Sequence, residues 1–200
     1  MNRIRSIPAL EALYGATVPL AVTKERPRLT PLYRQWIEGA RFCILCTAGA
    51  EGVHGTPRGD AGPVVRVLDD ETLLMPDWMG NNRIEALRDI VTDGRVALLF
   101  MVPGSTTTVR VNGTAFLTDD AALRESFAKG ARQPATVIVI AVAQVYTQCA
   151  KALLRSGLWN RDDRDSVPTT GAILAEITGG AEGGTDYDTH YAERAKPRMW

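Results

Sequence analysis

The sequence predicts a mainly β fold of the α+β class, an antiparallel barrel or sandwich with peripheral helices. Six segments have the length and composition of strands, and most of them follow one another in hairpin order. Helical segments are inserted between them without the strand–helix–strand repeat of a parallel sheet, and the sequence contains no internal repeat. An antiparallel sheet with helices around it accommodates both observations.

The strands are predicted by runs of branched and apolar residues bounded by turn residues. They cover residues 41–48, 64–68, 72–75, 95–102, 107–118 and 136–145. The glycine-rich residues 49–60 are predicted as a loop or hairpin. Asn112 and Gly113 are typical of a hairpin turn, but the apolar alternation continues across them, so a bulge is equally compatible.

Helices are predicted where apolar residues recur every three or four positions. Thr30 and Pro31 have the residue types of an N-cap and a first helical position. A second helix is predicted over residues 82–91, with Asn82 as its N-cap. Further short helices are predicted at residues 7–14 and after Asp119.

Composition excludes several classes of partner. The 23 basic and 23 acidic residues balance, which gives no electrostatic reason to expect nucleic acid or an anionic membrane as a partner. No apolar run approaches the ~20 residues of a membrane span. The first residues lack the apolar centre and cleavage site of a signal peptide, so we expect a cytoplasmic protein.

Three regions are expected along the chain: an N-terminal helical extension (1–38), a central β domain (39–160) and a C-terminal extension (161–200). Residues 177–185 have the composition of a flexible glycine-rich linker. The aromatic residues that follow it, Tyr187, Tyr191 and Trp200, are interpreted either as docked, for example on a partner subunit, or as disordered.

No motif assigns a catalytic side chain or a metal site. Cys43 and Cys46 lie three positions apart in a predicted strand and therefore point to opposite faces. His54 and His190 are far apart in sequence, and no metal-binding or nucleophile motif is present. We therefore leave the catalytic residues unassigned, expect no metal, and expect any chemistry to come from a bound cofactor.

Arg83 lies at the predicted start of the helix over residues 82–91. A helix N-terminus carries free N–H groups and partial positive charge, so Arg83 together with those groups would suit an anion such as phosphate. The alternative is a solvated arginine.

Three other arginines lie where chemistry is possible. Arg58 and Asp60 share a glycine-flanked loop, in which a simple ion pair between them is the alternative to a functional role. Arg66 and Arg110 lie within predicted strands, where an arginine that faces a barrel or an interface needs an anionic partner. If those faces are exposed to solvent, the two arginines need no partner and indicate no site.

A series of short motifs occurs in order between about residues 40 and 160. They are Pro57–Asp60, Leu73–Asp77, Gly80–Arg83, Leu99–Gly104, Val109–Ala115, Cys149–Ala152 and Arg155–Trp159. Together they resemble the pyridoxamine 5′-phosphate oxidase-related, FMN-binding split-barrel proteins, and in particular a bacterial subgroup of FMN-dependent enzymes. The resemblance implies a six-stranded split β-barrel over residues 39–160.

The resemblance also implies a homodimer with two FMN sites at the subunit interface and a small-molecule substrate. The residues that it places at the flavin are Arg58, Asp60, Val65, Arg66, Pro76, Asp77, Asn81, Asn82, Arg83, Thr108, Arg110, Lys151, Ser156 and Trp159. Asn81, Asn82 and Arg83 would hold the FMN phosphate. The last three would approach from the neighbouring chain.

The sequence departs from the family in two places. It lacks the C-terminal Trp…Arg-x-His signature of the true oxidases, and Gln148 stands where the subgroup usually has histidine. The resemblance therefore implies an FMN-dependent oxidoreductase but not vitamin B6 oxidation. Two alternatives remain open: a flavin-binding or storage protein without turnover, and a haem-binding split barrel.

Overall fold

The computed structural model describes residues 1–200 and contains one sheet of seven antiparallel strands. The strands are β1 (Phe42–Gly49), β2 (Gly52–Gly59), β3 (Arg66–Val67), β4 (Thr72–Asp77), β5 (Arg95–Met101), β6 (Thr108–Thr118) and β7 (Thr136–Gln148). Their order across the sheet is β2-β1-β5-β6-β7-β4-β3. The predicted fold class is confirmed, with seven strands in place of six.

The additional strand is β2, which composition predicts only as a loop or hairpin. It pairs with the whole of β1, from Phe42 opposite Gly59 to Gly49 opposite Gly52. Because β2 is an edge strand, it tolerates Pro57, which has no N–H to donate to a ladder.

The strand predicted over residues 64–68 shrinks to the two residues of β3. The N–H of Val64 donates instead to the carbonyl of Ala40 at 2.9 Å, outside the β3–β4 ladder. Of the two interpretations of Asn112 and Gly113, the structure shows the bulge, since the β6–β7 register shifts between them.

Eight α-helices surround the sheet. They are α1 (Ile7–Glu11), α2 (Pro19–Thr23), α3 (Pro31–Glu38), α4 (Glu85–Thr92), α5 (Ala121–Glu125), α6 (Lys151–Ser156), α7 (Thr170–Ile177) and α8 (Gly184–Ala195). The side chain of Thr30 caps α3 by accepting from the N–H of Tyr33, and Pro31 occupies its first turn, as predicted. None of the helices combines the length and apolarity needed to cross a membrane.

Helices α1 and α2 bury no residue, whereas α3 buries Ile37 completely. Helices α7 and α8 pack against each other, and the N–H of Gly171 donates to Asp188 Oδ1 at 2.8 Å. Where composition predicts a flexible linker, the structure has a helical hairpin: residues 177–185 form the end of α7, a turn and the start of α8.

The core is one cluster of 22 buried residues contributed by the sheet, by α3 and α4 and by the segments next to α3 and β3. Its fully buried members include Leu45, Leu98, Phe100 and Ile138. Cys43 is buried and Cys46 is exposed, as strand alternation predicts. Burial raises the pKa of the Cys43 thiol to about 12. A cavity beside this core is lined by the ends of β2 and β4, the start of β7 and helix α4.

Candidate functional site

A cavity of about 530 Å³ lies between the ends of β2 and β4, the loop before α4 and the start of β7. Its volume falls within the range of small-molecule and cofactor sites, about 300–1,000 Å³. Seven of the residues that the sequence resemblance places at a flavin line this cavity: Arg58, Asp60, Pro76, Asp77, Asn81, Asn82 and Arg83. The structure therefore brings half of the predicted site together.

Arg58 and Asp77 form an ion pair across the cavity wall, between Nη1 and Oδ1. Their side chains are only 18% and 14% exposed, so the pair joins β2 to β4 away from bulk solvent. The alternative of a loop pair between Arg58 and Asp60 is wrong, because each of them bonds a different partner.

Two buried polar atoms in this wall have no hydrogen-bond partner. Arg58 Nε and Thr136 Oγ1 are the only buried side-chain nitrogen or oxygen atoms of the chain without one. Both residues line the cavity. A buried donor or acceptor left unpaired costs about 1–3 kcal/mol, so these atoms indicate a ligand-binding surface.

The loop before α4 is strained where the sequence predicts an ordinary helix start. Asn82 and Ile84 have φ angles of 60° and 47°, in the left-handed region. Ile84 is β-branched, so this conformation is costly, and such strain concentrates at functional sites. The predicted helix start at Asn82 is wrong: α4 begins at Glu85, and Ile84 is its N-cap.

The local reason is that the side chain of Asn81 accepts from the N–H of Arg83 at 3.1 Å and closes a turn before the helix. No side chain caps the first turn of α4, which leaves its N–H groups available. The Arg83 side chain is 74% exposed, and its Nε lies 2.8 Å from Glu85 Oε1. Arg83 is therefore free to exchange a weak surface ion pair for an anionic ligand.

Asp60 belongs to a second cluster at the rim of the cavity. Its side chain is 9% exposed, pairs with Lys129 Nζ, and accepts from Trp78 Nε1 at 3.1 Å. Lys129 lies 4.9 Å from the centroid of the Trp78 ring and 3.3 Å from that of Trp200. The cluster joins four distant parts of the sequence at the cavity edge.

Val65 and Arg66 do not line the cavity. Val65 is fully buried in the core. Arg66 bonds the hydroxyl and the carbonyl oxygen of Ser126, both at 2.8 Å, and its guanidinium lies 3.7 Å from the ring centroid of Phe127. These contacts show Arg66 packed on the segment after α5.

The remaining predicted residues form a second group around the start of β6 and helix α6: Thr108, Arg110, Lys151, Ser156 and Trp159. Arg110 bonds the hydroxyl of Tyr146 at 3.2 Å rather than a carboxylate. Trp159 Nε1 donates to the carbonyl of Ser105 at 2.7 Å, beside the start of β6. None of this group lines the cavity of the same chain.

On the other side of α4, Asp89 is buried and accepts from Thr47 Oγ1 at 2.6 Å and bonds His54 Nδ1 at 2.7 Å. The Thr47 and His54 hydrogen bonds lower the pKa of Asp89, and the bond to Asp89 raises the pKa of His54. This network ties α4, and with it the loop that lines the cavity, to β1 and β2.

Sequence reasoning missed several residues of the site, among them Trp78, Lys129, Thr136 and Met199. Two further features had a signal in the sequence. The aromatic residues beyond residue 185 indicated that a docking surface was needed, and Asp89 is an acidic residue among the buried positions of α4.

No group of three or more His, Cys, Asp or Glu side chains in the chain is arranged to hold a metal ion. The polar groups that the cavity offers are arginine, amide and hydroxyl donors, each carboxylate being paired with a cation. The arrangement suits a ligand that carries an anionic group and hydrogen-bond acceptors.

Solved structures with this fold include HupZ from Group A Streptococcus, at 20% identity and a TM-score of 0.50, covering 60% of this chain and 94% of that one. A putative pyridoxamine 5′-phosphate oxidase from Lactobacillus delbrueckii is 26% identical over 60% of this chain and 95% of that one, with a TM-score of 0.49. The FAD binding protein from Mycobacterium smegmatis is 16% identical over 62% and 97%, with a TM-score of 0.41.

Among curated proteins, no sequence matches this chain significantly. The sequence model of the pyridoxamine 5′-phosphate oxidase family, however, matches residues 29–149, which is more than half of the chain. The matched residues include β1 to β7 and the whole lining of the cavity except Met199. The chain therefore belongs to the pyridoxamine 5′-phosphate oxidase family.

Proposed function

We propose that this protein binds FMN in the cavity between β2, β4 and α4 and acts as an FMN-dependent oxidoreductase. The observation that carries the proposal is that the only two unpaired buried side-chain polar atoms, Arg58 Nε and Thr136 Oγ1, belong to residues lining this cavity. A ligand with hydrogen-bonding edges would satisfy them. Membership of the family and the sequence motifs favour a flavin as that ligand.

The residues present fit FMN in charge as well as in size. Its phosphate would be held by Arg83 and the uncapped N–H groups at the start of α4, a site that favours anions. Asn81 and Asn82 line the same part of the cavity. The flavin ring would lie along the wall formed by Arg58, Asp77 and Thr136.

A bound flavin supplies hydride and electron transfer, and the chain supplies binding, orientation and shielding from water. The two largely buried carboxylates of the cavity, Asp77 and Asp60, are paired with Arg58 and Lys129. The pairing holds these two groups as fixed charges that orient a ligand. The substrate is proposed to be a small molecule that approaches the exposed side of the flavin.

The protein is further proposed to be a homodimer in which each flavin site takes residues from both chains. Support comes from the second group of predicted residues around β6 and α6, which lies away from the cavity of its own chain. In a two-fold dimer, Lys151, Ser156 and Trp159 of one chain would complete the cavity of the other.

Titration of the purified apoprotein with FMN, FAD and riboflavin tests the cofactor assignment. We expect FMN to bind more tightly than riboflavin, because charged hydrogen bonds to the phosphate contribute about 1.5–3 kcal/mol each. Arg83→Ala should weaken FMN binding by tens-fold or more and leave riboflavin binding unchanged. Arg88→Ala, an exposed arginine of α4 outside the cavity, is the matched control.

Equal affinity of the protein and Arg83→Ala for FMN would reject the phosphate site. Turnover is tested separately, by the steady-state oxidation of NADH or NADPH with a panel of acceptors. A flavin-loaded protein that is neither reduced nor reoxidised under these conditions would be a flavin-binding protein without oxidoreductase activity.

A further inference from the structure

Residues Lys196–Trp200 follow α8 and lie against the rim of the cavity, far in sequence from the residues that the family model matches. Met199 lines the cavity itself. Trp200 lies edge-on to Trp78, another lining residue, with ring centroids 5.6 Å apart and an interplanar angle of 81°. This geometry is a favourable aromatic contact.

Two cations fasten the segment. Arg132 Nη1 donates to the backbone oxygen of Trp200 at 3.0 Å and also to the carbonyl oxygen of Pro197. Lys129 Nζ lies 3.3 Å from the centroid of the Trp200 ring, within the range of a cation–π interaction. Both cations belong to the segment between α5 and β7.

Lys129 also connects the segment to the cavity. The same ammonium group pairs with the carboxylate of Asp60, which in turn accepts from Trp78 Nε1 at 3.1 Å. Asp60 and Trp78 both line the cavity. Removal of Trp200 would therefore expose one face of Lys129 and the edge of Trp78, and would open the wall that Met199 contributes to.

We propose that the C-terminal segment closes one wall of the flavin site, with Met199 in the wall and Trp200 holding it in place, and that it shields the bound flavin from solvent. This inference rests on the proposed function, since the ligand is the flavin assigned there. It assigns a binding role to a segment that the family match does not include, and it makes Trp200 a positioning residue that acts through Lys129 and Trp78.

The test measures two properties of FMN-loaded protein: the Kd for FMN and the quenching of flavin fluorescence by iodide, which reports solvent access. Trp200→Ala should raise the quenching constant several-fold and weaken FMN binding on the order of ten-fold. Trp200→Phe retains a ring over Lys129 and should stay close to wild type. Tyr191→Ala, a half-exposed aromatic of α8 outside the cavity, should change neither property.

Arg132→Ala loosens the segment without altering any residue that lines the cavity, so it should increase quenching in the same direction as Trp200→Ala. If the wild-type protein binds flavin, and Trp200→Ala has the same quenching constant and the same Kd, this inference is overturned and the proposed function stands. Failure of the wild-type protein to bind FMN or FAD would overturn both.

Discussion

Two side-chain atoms support the assignment of a ligand to the cavity. Arg58 Nε and Thr136 Oγ1 are buried without partners beside a cavity, in a chain whose other buried side-chain polar atoms are all paired. If no ligand bound there, replacing such a polar group by an apolar one would stabilise the protein. Substitution of Thr136 therefore tests whether the cavity wall binds a ligand or is poorly packed.

Thr136→Val replaces the hydroxyl by a methyl group of nearly the same shape. In the apoprotein we expect no loss of stability, or a gain of up to about 1–2 kcal/mol, because an unpaired buried hydroxyl is removed. In the flavin-loaded protein we expect weaker flavin binding, several-fold or more. Urea denaturation and flavin titration measure the two effects, and destabilisation of the apoprotein with unchanged flavin affinity would contradict this account.

The His54–Asp89 pair predicts a pH dependence. The pKa of His54 is raised above its ordinary value of 6.5 by the hydrogen bond to Asp89, so its stabilising contribution is complete below that pH and is lost as the pH rises through the raised pKa. The pKa of Asp89 is lowered, so its contribution is present above 3.8 and is lost in stronger acid, through its folded pKa.

The difference in free energy of unfolding between the protein and His54→Gln should therefore be largest below about pH 6.5 and shrink as the pH rises through the raised pKa of His54. Denaturant titrations across that range measure it. Asp89→Asn should abolish the same pH dependence. A difference that stays constant across the range would show that His54 acts without its charge.

Among the secondary-structure elements, strand positions are predicted correctly where buried and less buried residues alternate along the strand. Strands β1, β5, β6 and β7 alternate buried and less buried residues, and their predicted positions agree with the structure to within a few residues. Strand β2 is a glycine-rich edge strand in which exposed and half-buried residues alternate but none is fully buried, so its sequence has no apolar period. It forms by pairing with β1. No local signal in residues 52–59 encodes that partner.

The bulge in β6 gives a prediction at this scale. A Cβ atom at Gly113 would lie 1.9 Å from the carbonyl oxygen of Ala141 in β7, a backbone atom that cannot move without disrupting the ladder. Gly113→Ala should therefore destabilise the protein by more than about 2 kcal/mol, as overpacking of a rigid site does.

Gly55→Ala in the edge strand β2 is the matched control, because its Cβ would meet only Ile44 Cγ2 at 3.8 Å. Thermal or urea denaturation compares the two variants. Similar stability of Gly113→Ala and Gly55→Ala would contradict the close approach of β6 and β7 at the bulge.

At the scale of the whole molecule, the predicted site residues fall into two groups, one around the cavity and one around α6. Half of the site could be predicted from short motifs, since Arg58, Asp77 and Arg83 lie in local signatures. The contacts of Lys129 with Asp60 and with Trp200 join residues 69 and 71 positions apart, and only the folded chain brings them together. Because the second group does not line the cavity of its own chain, a site shared between two subunits would be needed to bring both groups to one ligand.

A mixed dimer tests that explanation. Arg83→Ala and Lys151→Ala should each bind FMN weakly when produced alone, and light scattering should show a dimer in both cases. In co-expressed chains, random pairing gives heterodimers in which one of the two sites takes both wild-type groups, so about a quarter of all sites should recover. No recovery in the mixture would place both groups in a site of the same chain, and normal FMN binding by Lys151→Ala alone would remove Lys151 from the site.

The cavity beside α4 is proposed to hold a flavin. The most direct measurement is the absorbance spectrum of the freshly purified full-length protein, followed by heat release of the chromophore and its identification by mass. We expect a yellow protein with the two-band spectrum of an oxidised flavin and about one FMN per chain. A colourless protein that binds neither FMN nor FAD on addition, or one whose spectrum is that of haem, would contradict the claim.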